Sequence, residues 1–521
     1  MSVAPSGIRV LLACALTAIV DIGCAGSREA TGTLSVAVGP DRYLNELPAR
    51  PDLGKYPLNA GVFDPLVRAT ESFGIEPWLA ARWTYDEPSN TYLFYLRRDV
   101  TFHDGQPLTA ADVKFTYDLI STADPANYQQ LGPGSVQVID EHTVAVTPTR
   151  PNMRLAEQIA HPIWGINRQG SDPLRPVGTG PFRFEEYHKH DRIAVARNAE
   201  YWHRARRPTV DRVEFRFVPD ADARFLAVRA GQVHVAADVP PEILESIATD
   251  PGLRVVRSPP GASNALTVNI HGEAPYNLGR DRSVRAAVAQ ALDRETIVAR
   301  GWNRAAEPSV GWLAPAVFGP YATLVHGLAF NPAAANALLD QAGWVRGNDG
   351  IRSRSGRRLT LALIVQFPAP EHLNTPELIQ QQLRAVGIDL RLELAADQGG
   401  FASTRRAGRF DLVQTTVNQN DPYPCFLPDL LHYSRSQSAA TRYVSPGGET
   451  DAAIERCRAA ADIEAARLHA AEAMHVLVDV EHVIIPIARL YRIFVTSDRV
   501  RDLVAHPSNT NQRWDTVRLL P

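Results

Sequence analysis

Residues 75–120 read IEPWLAARWTYDEPSNTYLFYLRRDVTFHDGQPLTAADVKFTYDLI, and the structural signal changes along this stretch. The segment TYLFYLR, 91–97, is rich in aromatic residues and predicts a β-strand. The polar turn HDGQP follows, in which Gly105 is expected to take a positive φ. Thr109 and Asp112 then stand three residues apart, as in the capping box that begins a helix. A strand, a turn and a capped helix in this order indicate an α/β unit.

The same alternation of strand and helix continues through the chain. The segments VEFRFVP, 213–219, and NALTVNI, 264–270, predict strands, and each precedes a helical pattern. Thr375 is expected in the cap position of a later helix. The last long helix is predicted over 451–480, with a break near Ala461. We therefore expect an α/β protein with mixed sheets.

Length and charge restrict the class of protein. A chain of 521 residues with 45% apolar content predicts two or three domains with well-filled cores. The net charge of −3 argues against a nucleic-acid partner, which would require a basic surface.

The first residues have the layout of an export signal. An apolar run extends from Val10 to Val20 after the single positive charge of Arg9. The run is too short to span a bilayer, and small polar residues follow it. We therefore predict a signal peptide over 1–23 and a tether over 24–30.

A lipid anchor is the expected fate of the new N-terminus. Ile22-Gly23-Cys24 resembles a bacterial lipobox, in which the cysteine is acylated and holds the protein to a membrane. Asp21 departs from that pattern, and plain secretion after Gly26 is the alternative. The expected location is the outer face of the cell membrane, towards the periplasm or cell wall.

Two cysteines then remain for a disulfide. Cys425 and Cys457 allow one bridge in an oxidising compartment. The sequence leaves open whether their Cα atoms come close enough to form it.

Motifs of catalysis, metal binding and ATP binding are missing from the sequence. It has no His-Glu-x-x-His, no Gly-x-Ser-x-Gly and no Walker loop, so we expect neither an enzyme nor a resident cofactor. Gly178-Thr179-Gly180-Pro181 is interpreted as a tight entry to a strand. His103 is interpreted as a hydrogen-bonded turn residue. His188 and His190 are too few to predict a metal site.

Five segments together resemble one known family. They are 75–120, 176–187 (PVGTGPFRFEEY), 197–240, 281–298 and 337–344 (ALLDQAGW). Their motifs, order and spacing resemble the extracytoplasmic solute-binding proteins of ABC importers, family 5, the peptide/nickel type that includes dipeptide- and oligopeptide-binding proteins. The resemblance covers nearly all of 30–521.

The resemblance implies a periplasmic-binding-protein-like α/β fold. Two lobes with mixed sheets are joined by a hinge, and an extra subdomain is attached to the first lobe. The chain would cross between the lobes near Thr267–Ile270 and again near Leu490–Phe494. The implied division is lobe I over 31–58, 172–268 and 492–521, the extra subdomain over 59–171, and lobe II over 269–491.

The resemblance also implies a function. A monomeric chain would capture a small peptide or other small solute in the cleft between the lobes and deliver it to ABC permease subunits in the membrane. The alternatives are a non-peptide solute, such as a metal chelate, a haem-like molecule or a glycoside, and a sensor or scaffold that works without a transporter.

The stretch TTVNQNDPYPCF, which begins at Thr415, is the expected ligand site in the second lobe. In peptide-binding members the corresponding strand pairs with the peptide backbone, and an aspartate binds the peptide's α-amine. Asn418 stands at that position here and supplies no charge, and Thr415 stands where a tryptophan is usual. Asp421 either serves as the amine anchor or caps the turn before Pro422.

Four further residues complete the expected site. Val417 belongs to the same strand, and Tyr423 either stacks on the ligand or packs in the core. From the first lobe, the loop after the first strand is expected to reach the ligand through Asp41 and Tyr43. The alternative for Asp41 is a plain solvated charge.

Overall fold

The computed structural model describes residues 32–40, 61–70, 74–123, 130–172, 175–240, 243–247, 249–302, 305–311, 315–366, 374–418, 422–425, 428, 432–435, 441–507 and 512–520. Within these ranges no helix has the length and apolar character that crossing a membrane requires.

Strands and helices alternate along the chain. The strands are β1 (Thr33–Val38), β2 (Val67–Ala69), β3 (Ile75–Pro77), β4 (Ala80–Asp86), β5 (Thr91–Leu96), β6 (Val136–Asp140), β7 (Thr143–Val146), β8 (Phe182–His188), β9 (Arg192–Arg197), β10 (Arg212–Phe217), β11 (Val235–Ala237), β12 (Leu253–Arg257), β13 (Ala262–Val268), β14 (Ala306–Pro308), β15 (Val345–Arg346), β16 (Arg352–Arg354), β17 (Arg357–Arg358), β18 (Thr360–Gln366), β19 (Asp389–Ala395), β20 (Leu412–Asn418), β21 (Ile484–Leu490), β22 (Ile493–Ser497), β23 (Val500–Arg501) and β24 (Arg518–Leu519). The helices are α1 (Ala110–Ala123), α2 (Leu155–Gln158), α3 (Ala221–Arg229), α4 (Leu244–Ile247), α5 (Arg282–Ala291), α6 (Arg294–Gly301), α7 (Pro315–Phe318), α8 (Pro332–Gln341), α9 (Thr375–Ala385), α10 (Gln398–Arg406), α11 (Thr441–Val444), α12 (Glu449–Arg458) and α13 (Ile463–His475).

Two mixed sheets form the body of the molecule. The first has the order β12-β22-β11-β1-β10-β9-β8, and the second has the order β14-β21-β13-β20-β18-β19. In the first sheet β1 is parallel to both β10 and β11, whereas β22 is antiparallel to β11. In the second sheet β18 is parallel to β19 and β20, whereas β13 is antiparallel to β20. The predicted α/β class with mixed sheets is confirmed.

Both sheets are buried on both faces. In β1, Val36 faces one apolar cluster and Ala37 faces another. In β20, Leu412 and Val413 likewise belong to clusters on opposite faces. Because successive strand residues point to opposite faces, each sheet is the middle of a three-layer unit.

A third unit lies beside the first sheet. Its four-stranded sheet has the order β4-β5-β7-β6 and packs with α1 around one core that spans Leu66 to Ile166. The buried carboxylate of Asp64 joins this unit to residues 201–202, which follow β9 of the first sheet. Asp64 accepts from Trp78 Nε1 at 2.7 Å, and from Tyr201 Oη and Trp202 Nε1 at 3.1 and 3.0 Å. Burial raises the pKa of Asp64, while these donors act in the opposite direction.

The local patterns of residues 91–120 form the predicted elements. Gly105 has φ +85°, and the turn carries His103, whose Nε2 lies 3.0 Å from Gly180 O while its Nδ1 accepts from Gly178 N. The Asp112 carboxylate accepts from both the backbone N and the hydroxyl of Thr109. His103 is thus a structural turn residue, and burial lowers its pKa to about 4.

The segment Gly178–Pro181 is a close-packed strand entry. A Cβ on Gly178 would lie 1.9 Å from Val62 O, and a Cβ on Gly180 would lie 2.5 Å from Gly61 O. These glycines therefore let two backbone segments meet, as the interpretation of a tight entry requires.

The chain crosses between the two sheets at 258–261 and again at 491–492. Gly261 N donates to Leu490 O at 3.2 Å, and Ser258 N donates to Arg492 O at 3.0 Å, so the two crossings run side by side. The passages between lobes were expected near Thr267–Ile270 and Leu490–Phe494. The first lies earlier, because residues 262–268 pair with β20 and β21 and so belong to the second sheet. The other lobe boundaries stay a prediction.

Candidate functional site at the strand ends beside the hinge

The last residues of β20 expose one strand edge. β18 pairs with β20 only at Leu363↔Leu412 and Ile364↔Val413, whereas β13 pairs with β20 along its whole length, as far as Ala262↔Asn418. On the β18 side, therefore, no strand pairs with 414–418 among the residues that the structure describes. An unpaired edge presents backbone N–H and C=O groups that can bind an extended chain.

One face of β20 is occupied by a buried amide network. Gln414 Nε2 donates to Asn264 Oδ1 at 3.0 Å and to Thr375 Oγ1 at 2.8 Å. Asn264 Nδ2 in turn donates to Thr416 Oγ1 at 3.0 Å. Gln414, Asn264 and Thr375 are all fully buried. The network ties β20 to β13 and α9 and fixes the direction of the exposed edge.

The opposite face of β20 packs into the core. Val417 contacts the apolar cluster that contains Tyr423 and Cys425, both of which are fully buried. The Thr415 hydroxyl is shielded from solvent and has no hydrogen-bond partner within the described ranges. Of the two alternatives for Tyr423, its burial favours packing.

A disulfide fixes the segment that follows β20. Cys425 is bonded to Cys457 of α12, and their Cα atoms are 6.2 Å apart, within the usual range for a bridge. The open question left by the sequence is thereby answered.

In the first sheet, the carboxyl ends of three parallel strands face the two crossings, 258–261 and 491–492, which we call the hinge. β1 lies between β10 and β11, and all three run in the same direction. Within this sheet the chain continues from β1 to β8 on one side and from β10 to β11 on the other, so a topological switch point lies between β1 and β10. Crevices at such a switch point are common ligand sites in α/β sheets. The expected residues Asp41 and Tyr43 follow β1 by three and five positions.

Arg224 of α3 holds these strand ends in place. Its guanidinium donates to Val218 O and Ala237 O, each at 2.8 Å, and to Asp238 O at 2.7 Å. The side chain is only 5% exposed, so the carbonyl oxygens after β10 and β11 share one buried cation.

A second arginine ties β11 to the returning crossing. Arg492 donates to both carboxylate oxygens of Asp238, at 2.9 and 3.0 Å, and its backbone N donates to Ser258 Oγ. Close by, the Tyr491 hydroxyl donates to the Glu307 carboxylate. Burial is the main cause that raises the pKa of Tyr491 to about 12, and this hydrogen bond is the second cause. The phenol therefore stays protonated at neutral pH.

Five residues of the predicted sites lie wholly or partly outside the part of the chain that the structure describes. Asp41, Tyr43, Asp421 and Cys24 fall in ranges that the structure does not describe, and Asn418 is described for its backbone only. Thr415, Val417 and the Asn418 backbone meet at the end of β20, close to the first crossing. Their roles as ligand contacts stay predictions.

Sequence reasoning missed the residues that position the site. Asn264, Gln414, Asp238 and Arg492 act through contacts with partners at least 150 residues away in the sequence, and Arg224 acts through carbonyls on two different strands. A polar residue inside an apolar strand, such as Asn264, was the one signal that could have indicated a buried network. Among the described residues no group of three or more His, Cys, Asp and Glu side chains could hold a metal ion.

Comparison with known proteins gives the arrangement a context. Residues 74–438 match the model of the bacterial extracellular solute-binding proteins, family 5. The chain belongs to this family. The resemblance inferred from the motifs is thereby confirmed.

Individual relatives are distant. The glutathione-binding protein GsiB of Salmonella choleraesuis is 28% identical over 337 residues, which cover 62% of this chain and 62% of that relative. The nickel-binding periplasmic protein of Escherichia coli is 25% identical over 374 residues, 68% of this chain and 69% of the relative. The chain thus spans less than two thirds of the length of the first of these relatives.

Among solved structures, NikA from Brucella suis in complex with Fe(III)-EDTA is similar with a TM-score of 0.81. The superposition covers 94% of this chain and 99% of that structure at 23% identity. At this identity the likeness shows the fold alone. The predicted periplasmic-binding-protein-like fold is confirmed.

Proposed function

We propose that the chain is the substrate-binding component of an ABC importer. It captures a peptide-like solute between its lobes and delivers it to a membrane permease. The observation that carries this proposal is the unpaired edge of β20 at 414–418, fixed from behind by the Gln414–Asn264 network and placed next to the hinge. An extended peptide can pair with such an edge through its backbone, largely independently of its side chains.

Binding without turnover fits the residues at this site. The groups around the hinge are amides, ion pairs and a phenol whose pKa is about 12. They hold strands together, and they do not form a nucleophile with an adjacent base. Closure of the lobes on the ligand would be a hinge motion about 258–261 and 491–492.

A non-peptide solute is the second candidate. Asn418 in place of the usual aspartate removes the charge that would balance a peptide's α-amine, and Thr415 replaces the usual tryptophan. Family relatives named for glutathione and for nickel show that the family's cargo is not uniform. A metal chelate, a haem-like molecule or a glycoside is the alternative cargo.

A thermal-shift screen tests both candidates. The panel contains short peptides, their N-acetylated forms, nickel chelates, haem and disaccharides. A ligand at 100 times its Kd stabilises the folded protein by about 2.7 kcal/mol, which shifts the melting temperature measurably. A shift with free peptides alone indicates an amine anchor, and Asp421→Asn should then abolish it. A shift with N-acetylated peptides as well indicates backbone pairing at β20.

If neither peptide set shifts the melting temperature and another class of ligand does, the second candidate replaces the peptide proposal. Turnover of a labelled peptide by the purified protein would contradict the binding role itself.

We further propose export and anchoring through Cys24, which would leave a monomer at the outer face of the membrane. Cys24→Ser should move the protein from the membrane fraction to the soluble fraction. Unchanged fractionation of that variant would contradict the lipid anchor.

A further inference from the structure

A separate cavity lies at the far edge of the second sheet. It has a volume of about 530 Å³ and lies between the start of α6, the segment after β14, and residues 322–330. Two strands, β21 and β13, separate β14 from β20. The cavity lies beside the edge strand β14, with Arg489 of β21 in its wall, whereas the proposed ligand edge belongs to β20. It is therefore distinct from the proposed cleft.

The walls of this cavity are mainly apolar and remain partly open to solvent. Phe318 and Val325 are buried, whereas Val310 is 38% exposed and Phe330 is 49% exposed. Leu324, next to the lining residue Val325, is also 38% exposed. Exposed large apolar side chains gathered around one opening are a feature of binding sites, and the volume lies in the range of small-ligand pockets.

Polar side chains that are already hydrogen-bonded within the protein hold the framework of the cavity. Arg294 donates to Pro486 O at 2.7 Å and to Leu328 O at 3.1 Å. Asp293 caps α6 by accepting from Thr296 N and Oγ1. Gly327 packs so tightly that a Cβ there would lie 2.8 Å from Val310 Cβ. The two walls are therefore fixed in relation to each other.

Among the described residues, one charged side chain in the wall, that of Arg489, is not held by hydrogen bonds in this way. Arg489 lines the cavity, and its side-chain Nε donates no hydrogen bond to any residue in the described part of the chain. Its one ion pair joins Nε to Glu307 Oε2 at 3.6 Å, and Glu307 also accepts from Tyr491. The Arg489 side chain is 23% exposed, so a ligand's charge would meet it in a partly desolvated setting.

We propose that this cavity is an accessory site for a small apolar carboxylate. The carboxylate group would pair with the guanidinium of Arg489, whose planar fork matches its two oxygens. The apolar body would lie against Phe330, Val310 and Phe318. Glu295, an acidic side chain of the lining, is exposed and screened by water, so it opposes an anion only weakly.

Binding of 4-phenylbutyrate, measured by titration calorimetry on the full chain, tests the site. The matched probe 4-phenylbutylamine has the same apolar body with the opposite charge. We expect one saturable site for the carboxylate and no comparable binding of the amine. Arg489→Gln should weaken binding at least tenfold, because a charge-assisted pair is lost. Phe330→Ser should weaken it about fivefold through lost apolar contact.

Two control variants separate the site from general surface effects. Leu394→Ser removes another apolar side chain that is 54% exposed, and Arg150→Gln removes an exposed arginine elsewhere. Both should bind 4-phenylbutyrate like the parent. Phe330 is half exposed, so its variant should fold even if Arg489→Gln does not. Equal binding of both probes, absence of binding, or unchanged affinity in Phe330→Ser would overturn the proposal. Peptide binding in the cleft should be unaffected in Phe330→Ser, which separates this test from that of the proposed function.

Discussion

At the scale of single residues, Arg224 shows how a buried cation can organise a binding edge. It donates to the carbonyl oxygens of Val218, Pro219, Ala237 and Asp238. These carbonyls lie at the ends of two parallel strands, and Arg224 supplies each of them with a charged donor. The side chain therefore positions the site without touching the expected ligand.

Arg224→Met should lower the free energy of unfolding by about 3 kcal/mol, because buried carbonyl oxygens lose a charged donor. The urea midpoint measures the change. Arg229→Met is the matched control, since Arg229 lies on the same helix α3 and is exposed. Equal losses in the two variants would show that α3 needs its arginines for solvation and that the carbonyl contacts contribute little.

Asp411 gives the fold a pH dependence of defined sign. Its carboxylate accepts from Ala362 N at 2.9 Å and from Leu278 N at 3.2 Å, and burial raises its pKa to about 6. The folded protein thus holds this proton more tightly than the unfolded chain does. The stability contributed by Asp411 is fully present below about pH 4 and is lost as the pH rises through about 6.

Asp411→Asn should remove this dependence. Between pH 4 and 7 the parent should lose about 2.4 kcal/mol relative to the variant, from a pKa difference of about two units. Urea unfolding at several pH values measures the difference. Comparison of variant with parent cancels other titrating groups, such as the buried His432, whose pKa burial lowers to about 4. Parallel stability curves for the two proteins would contradict the raised pKa of Asp411.

At the scale of elements, the disulfide links the segment after β20 to α12 across 32 residues. Cross-linking a loop of this length stabilises a fold by about 3.7 kcal/mol through the unfolded state. Reduction should therefore lower the melting temperature. The Cys425→Ser, Cys457→Ser double variant should melt at the lower temperature with or without reductant. A parent that melts identically in reductant would show that the bridge carries no stability.

Local patterns predicted most elements correctly. The strand of 91–97, the positive φ of Gly105 and the break between α12 and α13 near Ala461 all follow from signals within a few residues. Each depends on backbone sterics or capping that neighbours in sequence supply.

The wrong predictions concern positions whose structure is decided by residues far away in the sequence. Thr375, expected as a helix cap, is the first residue of α9, because its hydroxyl accepts from Gln414 Nε2 at 2.8 Å and Asn374 precedes the helix. Residues 262–268 were assigned to the first lobe, but pairing with β20, about 150 residues away, places them in the second sheet. The candidate site depends on such pairings throughout, so its residues were predicted less well than the fold.

At the scale of the whole molecule, one side chain connects the unit with the four-stranded sheet to the helices that pack against the second sheet. Arg154, at the start of α2, donates Nη2 to Ala461 O at 2.8 Å, in the break between α12 and α13. Its Nη1 donates to the buried Glu157, also at 2.8 Å. A contact across two units that a hinge moves relative to each other is made in one arrangement and broken in another. It therefore biases the equilibrium between them.

Arg154→Lys should shift this equilibrium towards the open form. Lysine keeps a cation beside Glu157 but cannot make both of arginine's contacts. Loss of one charged hydrogen bond, worth about 1.5 kcal/mol, lowers the closed population and should weaken the apparent affinity for a cleft ligand about tenfold. Calorimetry with whichever ligand the thermal screen identifies measures the affinity. Small-angle scattering should give a larger radius of gyration for the ligand-free variant than for the parent.

The matched control is Arg150→Lys, an exposed arginine close to Arg154 in the chain. It should leave both the affinity and the radius of gyration unchanged. If Arg154→Lys binds as tightly as the parent and scatters identically, the contact with Ala461 does not contribute to closure, and the bias must come from the hinge itself. The Asp238–Arg492 pair would then be the next element to change, because it ties β11 to the returning crossing.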